Sequence, residues 1–240
     1  MLKALVCDID GTITDSHRRM NTAAVECIRR LADEKVDVVL ASGNTSCFMD
    51  ALCRMIGTGG IFIAENGGVY RIGFDNPLHL QGDQSRCWNA FRILDTYYRK
   101  KGITVQLYSD RYRFTDLAFA RTVPADEVRE ILSGKDIKVV DTGYAIHLQV
   151  PEINKGVALD RLSVEMGLTP SDFLAIGDSV NDLEMLAKAG VGVAVANANH
   201  QAREVAAWVT QEKYGEGVVE AIKKYWSIFS KGTDLPRYSP

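Results

Sequence analysis

Two aspartates placed two residues apart, Asp8 and Asp10, are the strongest chemical signal in this sequence. They follow an apolar run that predicts a buried strand, and residues at i and i+2 of a strand point to the same side. Two carboxylates that close repel each other unless a proton or a cation lies between them. Gly11 allows a sharp turn, and Thr12 and Thr14 offer hydroxyl and N–H groups to an anion. The run therefore predicts a site for a metal ion and a phosphate group.

The same run has two other interpretations. An Asp-x-Asp-Gly string also occurs in calcium loops, but no glutamate follows at the spacing that such a loop requires. A surface turn with solvated carboxylates stays open on this segment alone, because short motifs also match by chance. Other polar segments of the chain are needed to decide between these interpretations.

Three further polar segments adjoin predicted strands or open a predicted helix. In an open parallel sheet, the carboxyl ends of the strands form the edge at which ligands bind. We therefore expect these segments to converge on the two aspartates, although they are far apart in sequence. Their residues are Ser42 and Gly43, then Lys155, and then Gly177, Asp178, Asn181 and Asp182.

The four segments together resemble the motifs of the haloacid dehalogenase superfamily, specifically of its phosphatases. The resemblance covers residues 1 to about 80 and about 152 to 228. It implies an α/β fold with a Rossmann-like parallel-sheet core and an inserted small α+β cap domain. It also implies a Mg²⁺-dependent phosphatase. The chemistry agrees with this implication, because clustered carboxylates are hard oxygen ligands that favour Mg²⁺ over zinc.

The resemblance also implies a role for each motif residue. Asp8 is the nucleophile that forms an aspartyl-phosphate, and Asp10 is the acid–base group that protonates the leaving alkoxide and then activates water. Two points stay open: Asp182 acts on the metal directly, through water or through Lys155, and Asn181 either bonds the site or caps the next helix. The implied phosphate-binding residues are Thr12, Ser42, Gly43, Lys155 and Asn181. The implied metal ligands are Asp8, Asp10 (through its carbonyl), Asp178 and Asp182.

Hydrophobic periodicity divides the chain into two kinds of segment. Strand and helix alternate in residues 1–81 and 152–240, which we predict to form one discontinuous core domain. Residues 82–151 instead predict the order αββαββ, which is typical of a small antiparallel sheet with helices on one face. We predict this segment to be the inserted cap. Within it we expect strands at 103–108, 112–119, 137–141 and 144–150, and its candidates for binding a carboxylate are Arg86, Arg111, Arg113 and Arg121.

Shorter segments add further expectations. Residues 65–68 predict a tight hairpin turn, and a last helix is expected over 215–229, with frayed residues at 230–240. Residues 197–199 fit either a loop near the site or a plain helix cap. The four histidines lack metal-ligand spacing, and we expect structural roles for all of them.

Composition excludes several classes of protein. The 240 residues carry a net charge of −3 without a basic block, which argues against nucleic acid as a partner. No apolar stretch approaches the roughly 20 residues that span a bilayer. Five cysteines without a paired framework, and the lack of a signal sequence, predict reduced thiols and a cytoplasmic location. The pattern permits a monomer or a homodimer.

The small cap and the short chain are similar to the archaeal-type phosphoglycolate phosphatases. This resemblance implies hydrolysis of a small phosphorylated metabolite, 2-phosphoglycolate, to glycolate and phosphate. The alternatives are a broad-specificity sugar-phosphate phosphatase, a phosphomannomutase-like enzyme and, outside enzymes, a phospho-aspartate receiver domain. Asp10 separates the receiver from the others, because a receiver has no second aspartate that could act as a base toward the acyl-phosphate.

Overall fold

The computed structural model describes residues 1–229. Its larger sheet has eight strands in the order β12-β11-β10-β1-β2-β3-β4-β5, and all pairs are parallel except β3–β4 and β4–β5. These strands are β1 (Ala4–Asp8), β2 (Asp37–Ala41), β3 (Ile61–Ala64), β4 (Val69–Arg71), β5 (His79–Leu80), β10 (Phe173–Gly177), β11 (Val191–Ala194) and β12 (Trp208–Val209).

A second, four-stranded antiparallel sheet has the order β6-β7-β9-β8. Its strands are β6 (Leu107–Tyr108), β7 (Leu117–Phe119), β8 (Lys138–Asp141) and β9 (Ile146–Gln149). Eight helices connect the strands of the two sheets over the described residues. They are α1 (Thr22–Asp33), α2 (Ser46–Ile56), α3 (Gln84–Lys100), α4 (Ala125–Ile131), α5 (Lys155–Glu165), α6 (Leu183–Lys188), α7 (His200–Val205) and α8 (Tyr214–Tyr225).

Local sequence signals explain where several core elements begin and end. Strand β1 is buried at all five positions, as a central parallel strand covered on both faces must be. The side chain of Asn21 accepts a hydrogen bond from the N–H of Ala24 and caps α1. Helix α2 ends at Gly57, whose φ of 89° is the left-handed conformation that terminates helices.

Three separate hydrophobic clusters hold the structure together. One packs α1, α2 and α8 against one face of the larger sheet, and a second packs α5 and α6 against the other face. The third lies between the smaller sheet and α3 and α4, and its largest members include Tyr98 and Phe119. The α/β core with an inserted α+β unit of order αββαββ is therefore confirmed. The separate third cluster supports our proposal that residues 82–151 form a domain of their own.

The structure differs from the expected element limits mainly in the inserted segment. The expected strand at 103–108 is formed only at Leu107–Tyr108, and the one at 112–119 only at Leu117–Phe119, after a 3-10 turn at Asp110–Tyr112. Gly102 with positive φ and the left-handed Ser109 interrupt an extended backbone there. The last helix is Tyr214–Tyr225 followed by a 3-10 turn, and the prediction of fraying at 230–240 lies outside the described residues.

No helix within residues 1–229 is both long enough and apolar enough to cross a membrane.

Candidate active site

The carboxyl ends of three parallel strands bring the motif residues together. Asp8 is the last residue of β1 and lies in register with Ala41, so that Ser42 follows beside it on β2. On the other side Cys7 pairs with Ile176, which places Gly177 and Asp178 at the same edge. The expected convergence of these segments is therefore present, at the edge where open α/β sheets bind ligands.

Lys155 lies at the centre of the cluster. It is the first residue of α5, is fully buried, and donates from Nζ to Asp8 Oδ1 at 2.5 Å and to Asp182 Oδ1 at 2.7 Å. Burial alone would lower the pKa of Lys155, but the charges of Asp182 and Asp8 outweigh burial and raise this pKa above its ordinary value. The lysine is therefore a fixed cation inside the site.

One lysine does not balance the acids around it. Oxygens of Asp8, Asp178 and Asp182 lie within 4.8 Å of one another. Burial, reinforced by the neighbouring carboxylates, raises the pKa of Asp8 to about 7 and that of Asp178 to about 9. Oδ2 of Asp8 is buried and has no hydrogen-bond partner within residues 1–229. An oxygen-rich, over-acidic cluster with an unpartnered buried oxygen fits a divalent cation such as Mg²⁺.

Asp182 differs from the other two acids because both of its oxygens are engaged. Oδ1 accepts from Lys155, and Oδ2 accepts from the N–H groups of Asp178 and Ser179, each at 3.1 Å. Its side chain is fully buried. Of the two open alternatives for Asp182, these contacts favour an action through Lys155 and through the loop that carries Asp178.

Gly11 is required by two features of the loop after β1. Its φ is +87°, and a Cβ atom there would lie 2.5 Å from Asp178 Oδ2. The carbonyl of Gly11 accepts a hydrogen bond from Asn197 at 2.8 Å, whereas the side chain of Asn199 caps α7. The segment 197–199 therefore contains both of the features that the sequence permitted, a loop near the site and a helix cap.

The remaining predicted residues surround Asp10. Ser42 Oγ donates to Asp10 Oδ2 at 3.2 Å, and Asn44 Nδ2 donates to the same oxygen at 2.8 Å. Thr12 Oγ1 donates to Asp178 Oδ1 at 3.3 Å. Asn181 does not cap the next helix; its Nδ2 donates to Asn66 Oδ1 at 3.0 Å, and the residue lines the cleft. Every motif residue is thus bonded to another part of the site or lies beside it.

The cap covers this edge and closes a cleft of about 490 Å³. The cleft contains Asp8 and Asp10 at the core side, and Tyr108, Arg113 and His147 are among the residues that the cap contributes. Of the four cap arginines considered from sequence, Arg113 alone lines the cleft. The other three lie elsewhere: Arg86 pairs with Asp136 and Glu152, Arg121 pairs with Asp141, and Arg111 borders a different surface groove.

A buried glutamate joins the cap to the core. Glu65 follows β3, is fully buried, and accepts hydrogen bonds from the N–H groups of Phe114, Thr115 and Asp116 and from Thr115 Oγ1 at 2.7 Å. Burial, with the nearby charge of Asp116, raises the pKa of Glu65 to about 7. The hairpin expected at 65–68 is present, but its first residue is a tether between two parts of the molecule and not a solvated turn residue.

Several residues of the site carry no motif and were not predicted from sequence: Arg18, Asn44, Glu65, Asp116 and His147. His147 was expected to be structural, yet the structure places it in the cleft wall with Nδ1 2.9 Å from Asp116 Oδ2. A signal was present in β9, where Ile146 and Leu148 pack in the cap's hydrophobic cluster and the alternating His147 must face the other side.

Comparison with known proteins places the chain in a family. The family model of haloacid dehalogenase-like hydrolases matches residues 5–125 and 120–222. The chain is similar to a phosphoglycolate phosphatase of Methanoculleus marisnigri, with 56% identity over 96% of this chain and 100% of that protein. A phosphoglycolate phosphatase of Methanospirillum hungatei is 46% identical over 94% of this chain and 97% of its own length.

The fold is also similar to solved structures. The crystal structure of Thermoplasma acidophilum 0175 superposes with a TM-score of 0.82 at 26% identity, and covers 94% of this chain and 99% of that chain. The family match spans both the core and the cap, and it agrees with the placement of the four motif segments at one sheet edge. The chain belongs to the haloacid dehalogenase-like hydrolases.

Proposed function

We propose that this protein is a Mg²⁺-dependent phosphatase that hydrolyses 2-phosphoglycolate to glycolate and phosphate. The observation that carries the chemistry is the buried carboxylate of Asp8, with one oxygen on Lys155 and the other unpartnered among the described residues. The observation that supports the substrate is the 56% identity to a protein named phosphoglycolate phosphatase, over the whole length of that protein.

The proposed reaction begins at the free oxygen of Asp8. Asp8 Oδ2 attacks phosphorus, the bond to the glycolate oxygen breaks, and Asp10 gives its proton to the departing alkoxide. Asp10 then removes a proton from water, which attacks the aspartyl-phosphate and releases phosphate and free Asp8. Asp10 is half-buried at the cleft, and Ser42 and Asn44 fix the oxygen Oδ2, so that Oδ1 is left for proton transfer.

The other residues bind or orient. Lys155 holds Asp8 in place and stabilises negative charge on the transferring group, since it is buried and cationic. Thr12, Ser42, Gly43 and Asn181 contribute hydroxyl, amide and backbone donors to the phosphate. Asp8 and Asp178, with the Asp10 carbonyl, would hold Mg²⁺, and Asp182 orients Lys155 and the Asp178 loop. Bound Mg²⁺ neutralises charge between the phosphate oxygens and the acids.

The second candidate is a sugar-phosphate phosphatase, and the cleft volume favours it. About 490 Å³ is more room than a two-carbon acid needs, and a phosphorylated sugar would use more of that space. The receiver-domain alternative is disfavoured, because Asp10 lies at the cleft in the place of a base.

A substrate panel with the purified protein and Mg²⁺ tests the proposal. We expect kcat/KM for 2-phosphoglycolate to exceed the values for glucose 6-phosphate and mannose 6-phosphate by at least about tenfold, a difference of about 1.4 kcal/mol in transition-state binding. A preference for a hexose phosphate would reject the substrate and retain the phosphatase. Failure to hydrolyse any phosphomonoester would reject both.

A further inference from the structure

We propose that Arg113 and His147 of the cap bind the carboxylate of the substrate, and that Asp116 and Glu65 hold these two side chains in place. The inference rests on the proposed function, because it assigns the part of the site that recognises the organic acid. It names residues outside the four motif segments that surround the phosphate.

Arg113 is a buried arginine that has a donor left over. Its Nε donates to the carbonyl of Tyr108 at 3.2 Å, and its Nη1 donates to Asp116 Oδ1 at 2.7 Å and to the carbonyl of Gly43 at 3.1 Å. Nη2 makes no hydrogen bond to any of residues 1–229 and is not among the buried unpartnered atoms. Since Arg113 lines the cleft, this corner of the guanidinium is available to an anion.

His147 is oriented by the same aspartate. Nδ1 lies 2.9 Å from Asp116 Oδ2, and the ring is 4% exposed at the cleft wall. A carboxylate can only accept a hydrogen bond, so Nδ1 is the donor and Nε2 is left for a ligand. Asp116 also stabilises a proton on this ring, and a doubly protonated imidazole donates from Nε2 to an anion.

Position relative to the phosphate sets the length of the ligand. Arg113 bonds the carbonyl of Gly43, and a Cβ atom built on Gly43 would lie 3.2 Å from His147 Cε1. Gly43 directly follows Ser42, which bonds Asp10. The cap cation and imidazole are therefore one residue away from the predicted phosphate-binding serine. A ligand that spans both sites needs an anionic tail only a few bonds from its phosphate, and 2-phosphoglycolate has this shape.

Charge complementarity points to the same ligand. Asp116 is a single carboxylate between two basic groups, and it is 1% exposed. Burial alone would raise the pKa of Asp116, but the adjacent Arg113 and His147 outweigh burial and lower it, so Asp116 is charged. One charged carboxylate against a guanidinium and a protonatable imidazole leaves room for a second carboxylate, which the substrate supplies.

Glu65 explains how the core holds this group at the correct distance. Three successive N–H groups of the segment 114–116 and the hydroxyl of Thr115 bond the Glu65 carboxylate. Arg113 and Asp116 flank these donors in sequence, so the same segment presents the guanidinium and the carboxylate that orients His147. Glu65 thus acts through the segment 113–116 and is a positioning residue.

Two substrates of the same length separate recognition of the carboxylate from catalysis. 2-Phosphoglycolate ends in a carboxylate, and 2-hydroxyethyl phosphate ends in a neutral hydroxyl group. For Arg113→Gln we expect the ratio of kcat/KM for the acid to that for the alcohol to fall about 30-fold, as when a charged hydrogen bond is lost. The kcat/KM for 2-hydroxyethyl phosphate, and inhibition by inorganic phosphate, should change less than about threefold. Arg111→Gln, a neighbouring arginine outside the cleft, should keep the wild-type ratio.

His147→Asn gives a second, milder variant. The asparagine amide can replace the Nδ1 donor to Asp116, but it provides no group at the position of Nε2. We expect the ratio to fall about fivefold with this change.

The outcomes separate this inference from the proposed function. A wild-type enzyme that does not prefer the acid over the alcohol rejects 2-phosphoglycolate as substrate and this inference with it. A wild-type preference that both variants retain rejects the inference alone. An equal loss on both substrates also rejects it, because that result assigns Arg113 and His147 a purely structural role.

Discussion

The acidic cluster at the end of β1 and the charged group under the cap are both buried, but they solve the problem of buried charge differently. In the core, three carboxylates share one lysine, and an oxygen of Asp8 has no partner in the described part of the chain. At the cap, Asp116 is bonded on both oxygens to basic side chains. The core cluster is therefore incomplete without a cation, whereas the cap group is complete in the protein alone and accepts only a small anion.

This difference separates chemistry from selectivity. The core cluster contains what any phosphomonoester needs, namely a nucleophile, an acid–base group and a place for a divalent ion. The cap group touches none of the predicted catalytic atoms, and it contacts the core through Gly43 and Glu65. Changes in the core should therefore affect all substrates alike, and changes at the cap should affect some substrates more than others.

The largest expected effect is the loss of the nucleophile. Asp8→Asn should lower kcat on every phosphomonoester by roughly four orders of magnitude or more, because an amide cannot form the acyl-phosphate. Single-turnover and steady-state assays would measure this loss, and circular dichroism would check the fold. Substantial hydrolysis by the purified, folded variant would remove Asp8 from its role and with it the contrast between the two regions.

Removal of the metal should have the next largest effect. A chelator should abolish activity, and Mg²⁺ should restore it, while Ca²⁺ should substitute poorly because its larger coordination shell disturbs in-line geometry. A saturating concentration of Mg²⁺ should also raise the melting temperature by about 5 °C, since ligand binding to the native state at about 100 Kd stabilises it by about 2.7 kcal/mol.

Matched variants locate the ion. Asp178→Asn should lose the rise in melting temperature, and Asp160→Asn, an exposed acid outside the cluster, should keep it. Full activity in chelator, or an unchanged Mg²⁺ effect in Asp178→Asn, would show that the acidic cluster is not completed by a cation.

The third prediction concerns the tether between cap and core. The pKa of Glu65 is raised from its ordinary value to about 7, so the native state binds this proton more tightly than the unfolded chain. The stabilisation is fully present below the ordinary pKa of glutamate and is lost as the pH rises to about 7. Its size is up to about 3 kcal/mol.

Denaturant unfolding from pH 4.5 to 8 measures this effect. The free energy of unfolding of the wild type minus that of Glu65→Gln should decrease with rising pH, because the amide does not titrate. A difference that is constant over this range would show that Glu65 is ionised throughout.

The smallest expected effect is at the cap surface. Arg86→Ala removes ion pairs with Asp136 and Glu152, whose side chains are 74% and 64% exposed. Such pairs contribute about 0–1 kcal/mol, so the melting temperature should fall by at most about 3 °C and kcat/KM should change less than twofold. A large loss of activity would mean that the cap acts on the reaction from outside the cleft.

The sequence predicts the core well because its signals are local. Asp8, Ser42 and Asp178 each follow an apolar run, and the carboxyl-edge rule for parallel strands brings them together without further information. The αββαββ order of the cap was also correct, although short strands around Gly102 and Ser109 were overextended.

The contacts between cap and core could not be predicted in this way. Glu65 and Thr115 are 50 residues apart, and neither belongs to a periodic pattern that marks a partner. His147 and Asp116 lie on different strands of the smaller sheet's neighbourhood, and their pairing depends on the register of β7 against β9. Register in so short a sheet is set by packing and not by any residue that can be read locally.

The tether at Glu65 limits how freely the cap can be exchanged between relatives. A cap transplanted onto a foreign core would bring three N–H groups and a hydroxyl that had been satisfied by a carboxylate of the host. Without an acid at the recipient position, each buried donor would lose its partner at a cost of about 1–3 kcal/mol. A functional chimera therefore has to take the residue after β3 from the same parent as the segment 113–116, although the two are encoded far apart.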